Sequence, residues 1–287
     1  MRTFAVALLI GSALVFAGCS GSVSGEVSSK NGKTPLPAAT VVVGDQSVTC
    51  DSSGHFSIEK VETGRQKVTV SAEGFGPEEQ TLDVQKGDNT LNVALEDGTL
   101  TIRLKENAEV REPIKVAKVT VGGTKAEKAQ GAVFAGTDIP VGQQTVKVSC
   151  AGHAPAEQVV DVLPGENSLT VTLDLTPVET YMRYYNAYRF SHWKEARKFL
   201  HPDVAKHEPL EKFIKDMDAG GSVIGIKVFG TKSMSKWRCP WSKKTYRHVV
   251  AIDRAVRYEG AFGAYTSNLT QHWQLTDGRW YIIWDWT

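Results

Sequence analysis

Along this chain the spacing of apolar positions changes character several times. Phe4 to Phe16 is a largely apolar run, too short to span a bilayer as a helix. From there to Leu175 the pattern is short and two-residue. Thr40-Val41-Val42-Val43, Lys67-Val68-Thr69-Val70 and Thr90-Leu91-Asn92-Val93-Ala94-Leu95 are rich in β-branched residues. Clusters such as Asp51-Ser52-Ser53-Gly54 and Lys86-Gly87-Asp88-Asn89 punctuate them. Alternation broken by turn residues predicts many short strands and no helix. At Thr176-Pro177-Val178-Glu179 the period becomes helical: Thr176 can cap, Pro177 suits the first turn, and Glu179 can reach back to complete a capping box. Val178, Tyr181, Met182, Tyr185, Trp193, Ala196, Phe199 and Leu200 form one apolar stripe, so one helical run is expected up to His201-Pro202-Asp203. A second helix is expected from Pro209, with Leu210, Phe213, Ile214 and Met217 on one face and Gly220-Gly221 ending it.

Alternation then returns. Val223–Phe229 reads as one strand, and Tyr246–Tyr258 as another with Tyr246, His248, Val250, Ile252, Arg254, Val256 and Tyr258 on one face. Tyr265, Leu269, Trp273 and Leu275 share a face of the next. Trp280, Ile282, Trp284 and Trp286 share one of the last, after an Asp277-Gly278 turn. Helices followed by an antiparallel sheet predict an α+β domain with its first helix on the sheet. Only Leu175 separates the strand pattern from the Thr176 cap, so tight docking of this domain on the preceding one is expected.

The strand-rich part is a duplication. Val61–Glu96 aligns without a gap onto Ile139–Asp174 at an offset of 78 residues, with 16 identities in 36 positions. Upstream, Pro35, Ala39, Val41, Val43, Gly44 and Phe56 match Pro113, Ala117, Val119, Val121, Gly122 and Phe134. A period this long describes two β-sandwiches rather than solenoid turns. The expected organisation is therefore multidomain: a leader over 1–18, a short tether over 19–22, sandwiches over 23–96 and 97–175, and an α+β domain over 176–287.

Charge sharpens the division. Residues 20–175 hold 14 Lys+Arg against 21 Asp+Glu, a net −7, whereas residues 176–287 hold 18 against 11, a net +7. All 7 Trp and all 8 Tyr lie after Thr176. Beyond Cys19 the cysteines are Cys50, Cys150 and Cys239, an odd number that makes no disulfide framework, although a Cys50–Cys150 bridge is conceivable. No CxxC pair, metal-ligand spacing, GxSxG, HExxH, Walker or dinucleotide motif is present. Neither metal nor cofactor is expected.

Three family resemblances rest on these residues. Arg2, the apolar run and Phe16-Ala17-Gly18-Cys19 together resemble the lipobox of bacterial lipoproteins, with Phe16 in place of the usual aliphatic residue. That resemblance implies cleavage before Cys19, lipidation of its thiol, and an extracytoplasmic protein anchored to a membrane of the cell envelope. Gly25-Glu26-Val27, Lys33–Val41, Asp51–Phe56, Gly64–Val70 and Gly74-Phe75 resemble a carboxypeptidase regulatory-like domain, a transthyretin-like or Ig-like sandwich. The second copy keeps Ala117–Gly122 and Gly142–Gly152, lacks the Asp/Gly turn, and is also similar to PEGA-type surface domains. Such modules imply spacing or adhesion and no catalysis. The helices-then-sheet order, with the ending from Trp273 to Trp286, resembles a nuclear-transport-factor-2-like cone.

Two candidate sites follow. His248 and Arg254 fall on a mostly apolar strand face, with Trp273 and Trp284 facing the same interior, and could bind a ligand; a cone enzyme using His248 and Arg254 is one alternative, and a partly exposed His and Arg at the rim of the cone is the other. His192, His201, His207 and His272 have polar neighbours and read as surface residues. The second site is the run from Lys232 to Arg247, which holds Lys232, Lys236, Arg238, Lys243, Lys244 and Arg247 with no acid, interleaved with Trp237, Trp241 and Tyr246. Outside the cytoplasm its partners would be anionic lipid headgroups or wall polymers rather than nucleic acid. It could also be a solvated hairpin, or dock on the acidic repeats. The expected function is non-catalytic: a sandwich stalk presenting the cone to a partner protein, envelope polymer or small ligand. A purely structural or adhesive role is a further possibility.

Overall fold

The computed structural model describes residues 20–30, 34–108, 111–114, 116–218, 222–260 and 263–283. Cys19 and Trp284 lie outside these residues, as do Asp285 and Trp286. The chain divides into two compact units. One comprises the chain up to Gly98 with Asp138–Gly142 and Val162–Gly165; the other comprises Thr99–Thr137, Gln143–Asp161 and the chain from Glu166 onward. Cys50, Cys150 and Cys239 are free thiols.

The first repeat supplies β1 (Ser20–Ser29), β2 (Thr40–Val43), β3 (Gln46–Thr49), β4 (His55–Glu62), β5 (Gly64–Ser71), β6 (Glu78–Val84), β7 (Gly87–Thr90) and β8 (Val93–Leu95). One sheet runs β3-β2-β5-β6; the other runs β4-β1-β7, with β8 also pairing β1. The inward residues of both close one core, including Val23, Val27, Val41, Val68, Val70, Val93 and Leu95. Gly25 is required here: a Cβ at that position would lie 1.7 Å from the Leu91 carbonyl oxygen, where the chain between β7 and β8 crosses β1.

The second repeat reproduces this plan with β9 (Gly98–Asn107), β10 (Ala117–Val121), β11 (Thr124–Lys125), β12 (Glu127–Gln130), β13 (Val133–Ile139), β14 (Gly142–Cys150), β15 (Ala156–Val162) and β16 (Gly165–Asp174). Its sheets run β11-β10-β14-β15 and β12-β13-β9-β16. The duplication holds at the level of register: Val41 faces Val70 and Val43 faces Val68 in the first copy, and Val119 faces Val148 and Val121 faces Val146 in the second. The copies differ around the Asp/Gly turn. In the first, the Asp51 carboxylate accepts from the amides of Ser53 and His55 and folds the chain tightly. The second lacks that sequence, and β12 forms instead and pairs with β13.

The remainder is α+β: α1 (Pro177–Arg189), α2 (Trp193–Arg197), α3 (Pro202–His207), α4 (Leu210–Asp218), then β17 (Ser222–Arg238), β18 (Thr245–Gly260), β19 (Gly263–Thr276) and β20 (Arg279–Ile283), an antiparallel meander in chain order. Thr176 caps α1 by accepting from the Glu179 amide at 3.2 Å. The capping box is not completed, because the Glu179 carboxylate takes Arg183 Nε at 3.0 Å and the Thr176 amide donates to the Gly152 carbonyl.

Three expectations are corrected. The single helical stripe is cut at Ser191 (φ 55°), yet Tyr181, Tyr184, Tyr185, Tyr188, Ala196, Phe199 and Leu200 still share one core. The strand expected to end at Phe229 continues to Arg238, paired to β18 along its length. Alternation along β18 breaks at His248 (φ 52°): Tyr246 and Val249 join a small cluster with Cys239 and Ile283, while Val250, Ile252 and Val256 face the helices.

Docking of the helical layer on the second sandwich is built from charge, within one compact unit. The buried Glu106 carboxylate accepts from Arg183 Nη1 at 2.8 Å and Nη2 at 2.7 Å and from the Glu112 amide at 3.0 Å. His153 Nε2 lies 2.8 Å from its Oε1. Arg183, Glu106 and His153 side chains are 5%, 3% and 4% exposed, so each group depends on the others for the hydrogen bonds that water would supply. Leu175 bridges to His153 and is itself buried. The seam encloses only about 20 Å³ beside Leu175, Thr180 and Phe199, room for about one water.

Candidate functional site

The site is assembled by register. Beyond His248, the helix-facing residues of β18 pair with those of β19 as Val250 with Trp273, Ile252 with Gln271, Arg254 with Leu269, Val256 with Ser267 and Tyr258 with Tyr265. Directly paired residues share a face, so these five rows pave the floor beneath α1. The first two rows are closed: Val250, Ile252, Gln271 and Trp273 are all buried. The last rows are open, with Leu269 46% and Tyr265 52% exposed and the Tyr258 ring stacked on Tyr265 at 5.2 Å. Arg254 sits at the boundary.

α1 roofs this floor with Tyr181, Tyr184, Tyr185 and Tyr188, spaced to fall on one helix face. The Arg254 guanidinium lies 5.7 Å from the Tyr181 ring centroid and 5.2 Å from that of Tyr185, and the Tyr181 and Tyr184 rings stand edge-on to Trp273. Burial pushes the Tyr181 and Tyr188 hydroxyls up to about 12 and those of Tyr184 and Tyr185 well above their usual value. At neutral pH they are uncharged and cannot serve as counter-ions.

Arg254 is only 6% exposed, and its Nε and Nη1 have no hydrogen-bond partner. Among the described residues no carboxylate pairs with it. On the same floor Trp273 Nε1 and Gln271 Oε1 are also buried without partners. Aromatic faces recover part of the cost of burying a cation, but an uncompensated buried charge still costs several kcal/mol. The arrangement is a buried cation with no counter-charge among the described residues. Nucleophile, base and metal-ligand constellations are absent from it; among the described residues no group of three His, Cys, Asp or Glu converges.

His248 does not belong to this site. Its left-handed backbone turns it out of the alternation, and it is exposed. Six residues of strand, about 20 Å, separate it from Arg254. Arg254 and Trp273 lie on the same face two rows apart, and each lies beside the Tyr181 ring. Gln271, Tyr181, Leu269 and the Tyr258–Tyr265 pair lie on the same floor and roof; a signal for Gln271, Leu269 and Tyr265 existed in the two-residue spacing back from Trp273 along β19. His192 and His207 are exposed, but His201 is half-buried: its Nδ1 accepts from the Asp203 amide, and burial holds its pKa below the usual value.

The basic run forms the far end of the β17–β18 hairpin. Lys232, Lys236, Arg238, Lys243, Lys244 and Arg247 are exposed, and Lys236 pairs directly with Arg247. Trp237 is stacked on His272 with centroids 4.0 Å apart, whereas Trp241 is 57% exposed.

Fold and site together define a modular, β-rich protein: two sandwiches from one duplicated unit and an α+β domain bearing a buried, unpaired cation. Residues 22–96 match the carboxypeptidase regulatory-like domain family, about a quarter of the chain. No curated protein matches the chain in sequence. Among solved structures it is similar to the Bacillus anthracis TIE protein (15% identity, TM-score 0.38), over 55% of this chain and 34% of that one, so the likeness spans about a third of that protein. It is also similar to GBS52, the minor pilin of Streptococcus agalactiae (9% identity, TM-score 0.29, 55% of this chain and 97% of that one). A third is BcpA, the major pilin subunit of Bacillus cereus (9% identity, TM-score 0.26, 50% and 68%).

Proposed function

We propose that this is an extracytoplasmic protein of the bacterial envelope, held to a membrane by lipid on Cys19, in which the two sandwiches act as a spacer and the α+β domain is a non-catalytic binding head. The observation that carries the binding role is Arg254, buried with two guanidinium nitrogens unpartnered beside an open ledge of Leu269, Tyr258 and Tyr265. The ligand class that fits is a small amphipathic carboxylate. Its anion would meet Arg254, Tyr181 and Trp273 donors, and its apolar part would lie on the ledge. The apolar leader ending in Ala17-Gly18-Cys19 supports the anchor. The exposed His248 leaves the enzymatic alternative without its second group.

Native mass spectrometry of the protein extracted from bacterial membranes tests both halves at once. The expected species begins at Cys19, carries a diacylglyceryl mass, and releases a small acid that is absent from Arg254→Met protein prepared in parallel. An unmodified N-terminus would remove the anchor. Identical small-molecule content in both proteins would remove the binding role.

A further inference from the structure

The hairpin end is a second surface, unconnected with the Arg254 site. Six cations lie between residues 232 and 247 with no acid among them. Among the described residues only Lys244 pairs with a carboxylate, Asp203, at 3.1 Å. Lys236 directly opposite Arg247 is a like-charge pair that disfavours the ribbon and that an external anion would relieve.

The tip is rigid. The Cys239 amide donates to the Lys244 carbonyl at 2.9 Å, the Lys243 amide donates to the Cys239 carbonyl at 3.1 Å, and Lys243 takes a left-handed turn at φ 56°. Beneath it Cys239, Tyr246, Val249 and Ile283 form a small buried core with Met234 and Trp237 against it. With Trp237 stacked on His272, Trp241 is the aromatic ring left exposed at the apex.

We propose that this hairpin end docks on an anionic phospholipid bilayer, with the Trp241 indole at headgroup level and Lys236, Arg238, Lys243 and Arg247 among the phosphates. A soluble or wall polyanion would be held by the cations alone and gains nothing from a single indole on an apex. A bilayer interface takes both, because indole partitions to headgroup depth while the ammonium and guanidinium groups meet lipid charge. The proposal does not depend on the carboxylate-binding reading.

Its test uses the chain from Ser20 onward, which contains every described strand and helix and no lipid, in co-sedimentation with phosphatidylglycerol-rich and pure phosphatidylcholine vesicles across a salt series. Binding is expected to the anionic vesicles only and to weaken as salt rises. It should fall by about fivefold for each of Lys236, Arg238 and Lys243 changed to Ser, and fall again for Trp241→Ser. All four side chains are exposed, so melting temperatures should hold. No binding to anionic vesicles, or equal binding after these changes, would overturn the proposal. Binding to soluble polyphosphate that matches or exceeds vesicle binding and ignores Trp241→Ser would overturn it in favour of a polymer.

Discussion

Glu106 shows how much of this protein turns on single residues. Burial alone would raise its carboxyl pKa, but the Arg183 fork, the Glu112 amide and His153 outweigh burial and hold it below the usual carboxylate range. A carboxyl depressed in the folded state contributes stability that is fully present above its unfolded pKa of about 4.3 and is lost as pH falls through the folded value. Glu106→Gln should therefore cost about 3–5 kcal/mol near neutrality, because it leaves Arg183 buried without its charge partner. Urea melts should show the gap between wild type and variant closing as the pH is taken below the carboxylate range; a gap independent of pH would contradict the assignment. Nothing in the sequence announces this cluster, since Glu106 stands 47 residues from His153 and 77 from Arg183. Arg254 was legible as a cation on an apolar face, but its lack of partners depends on what α1 places above it.

At the scale of elements, His248 acts as a switch in β18. A left-handed conformation costs a residue with a Cβ about 1–2 kcal/mol, and glycine escapes that cost. His248→Gly should accordingly raise stability by about 1 kcal/mol and leave ligand binding intact, as thermal melts and titration would show. A loss of binding would return His248 to the site. The same residue explains where reading by alternation stopped. The strands of both repeats were legible because most of them alternate and turn residues mark their ends, although Lys60 (φ 58°) in β4 and Asp138 (φ 53°) in β13 break the alternation at equivalent positions of the two copies. Their shared register, Val41 with Val70 and Val119 with Val148, followed from the duplication. The breaks at Ser191 and His248 were not legible, because neither is a Gly or Asn that would flag a left-handed turn. The extension of β17 to Arg238 was hidden for another reason: its two half-buried apolar residues, Met234 and Trp237, are three apart and set no two-residue alternation.

The molecule as a whole separates its tasks along the chain. The acidic, Trp- and Tyr-free repeats spend their apolar residues on sandwich cores, and the basic C-terminal part holds every Trp and Tyr. The Glu106–His153–Arg183 cluster ties the helical layer to the part of the second repeat that shares its compact unit, and the C-terminal part is the proposed binding head. The central claim is that this head carries an anion-seeking site at Arg254. The most direct measurement is calorimetric titration of the chain from Ser20 with decanoate, with decanol as the uncharged control, for wild type and Arg254→Met. The account predicts saturable decanoate binding at one site, little response to decanol, and loss of at least about tenfold in affinity in the variant, in line with the worth of a charged hydrogen bond. Equal affinity for decanoate and decanol, or binding unchanged in Arg254→Met, would contradict it.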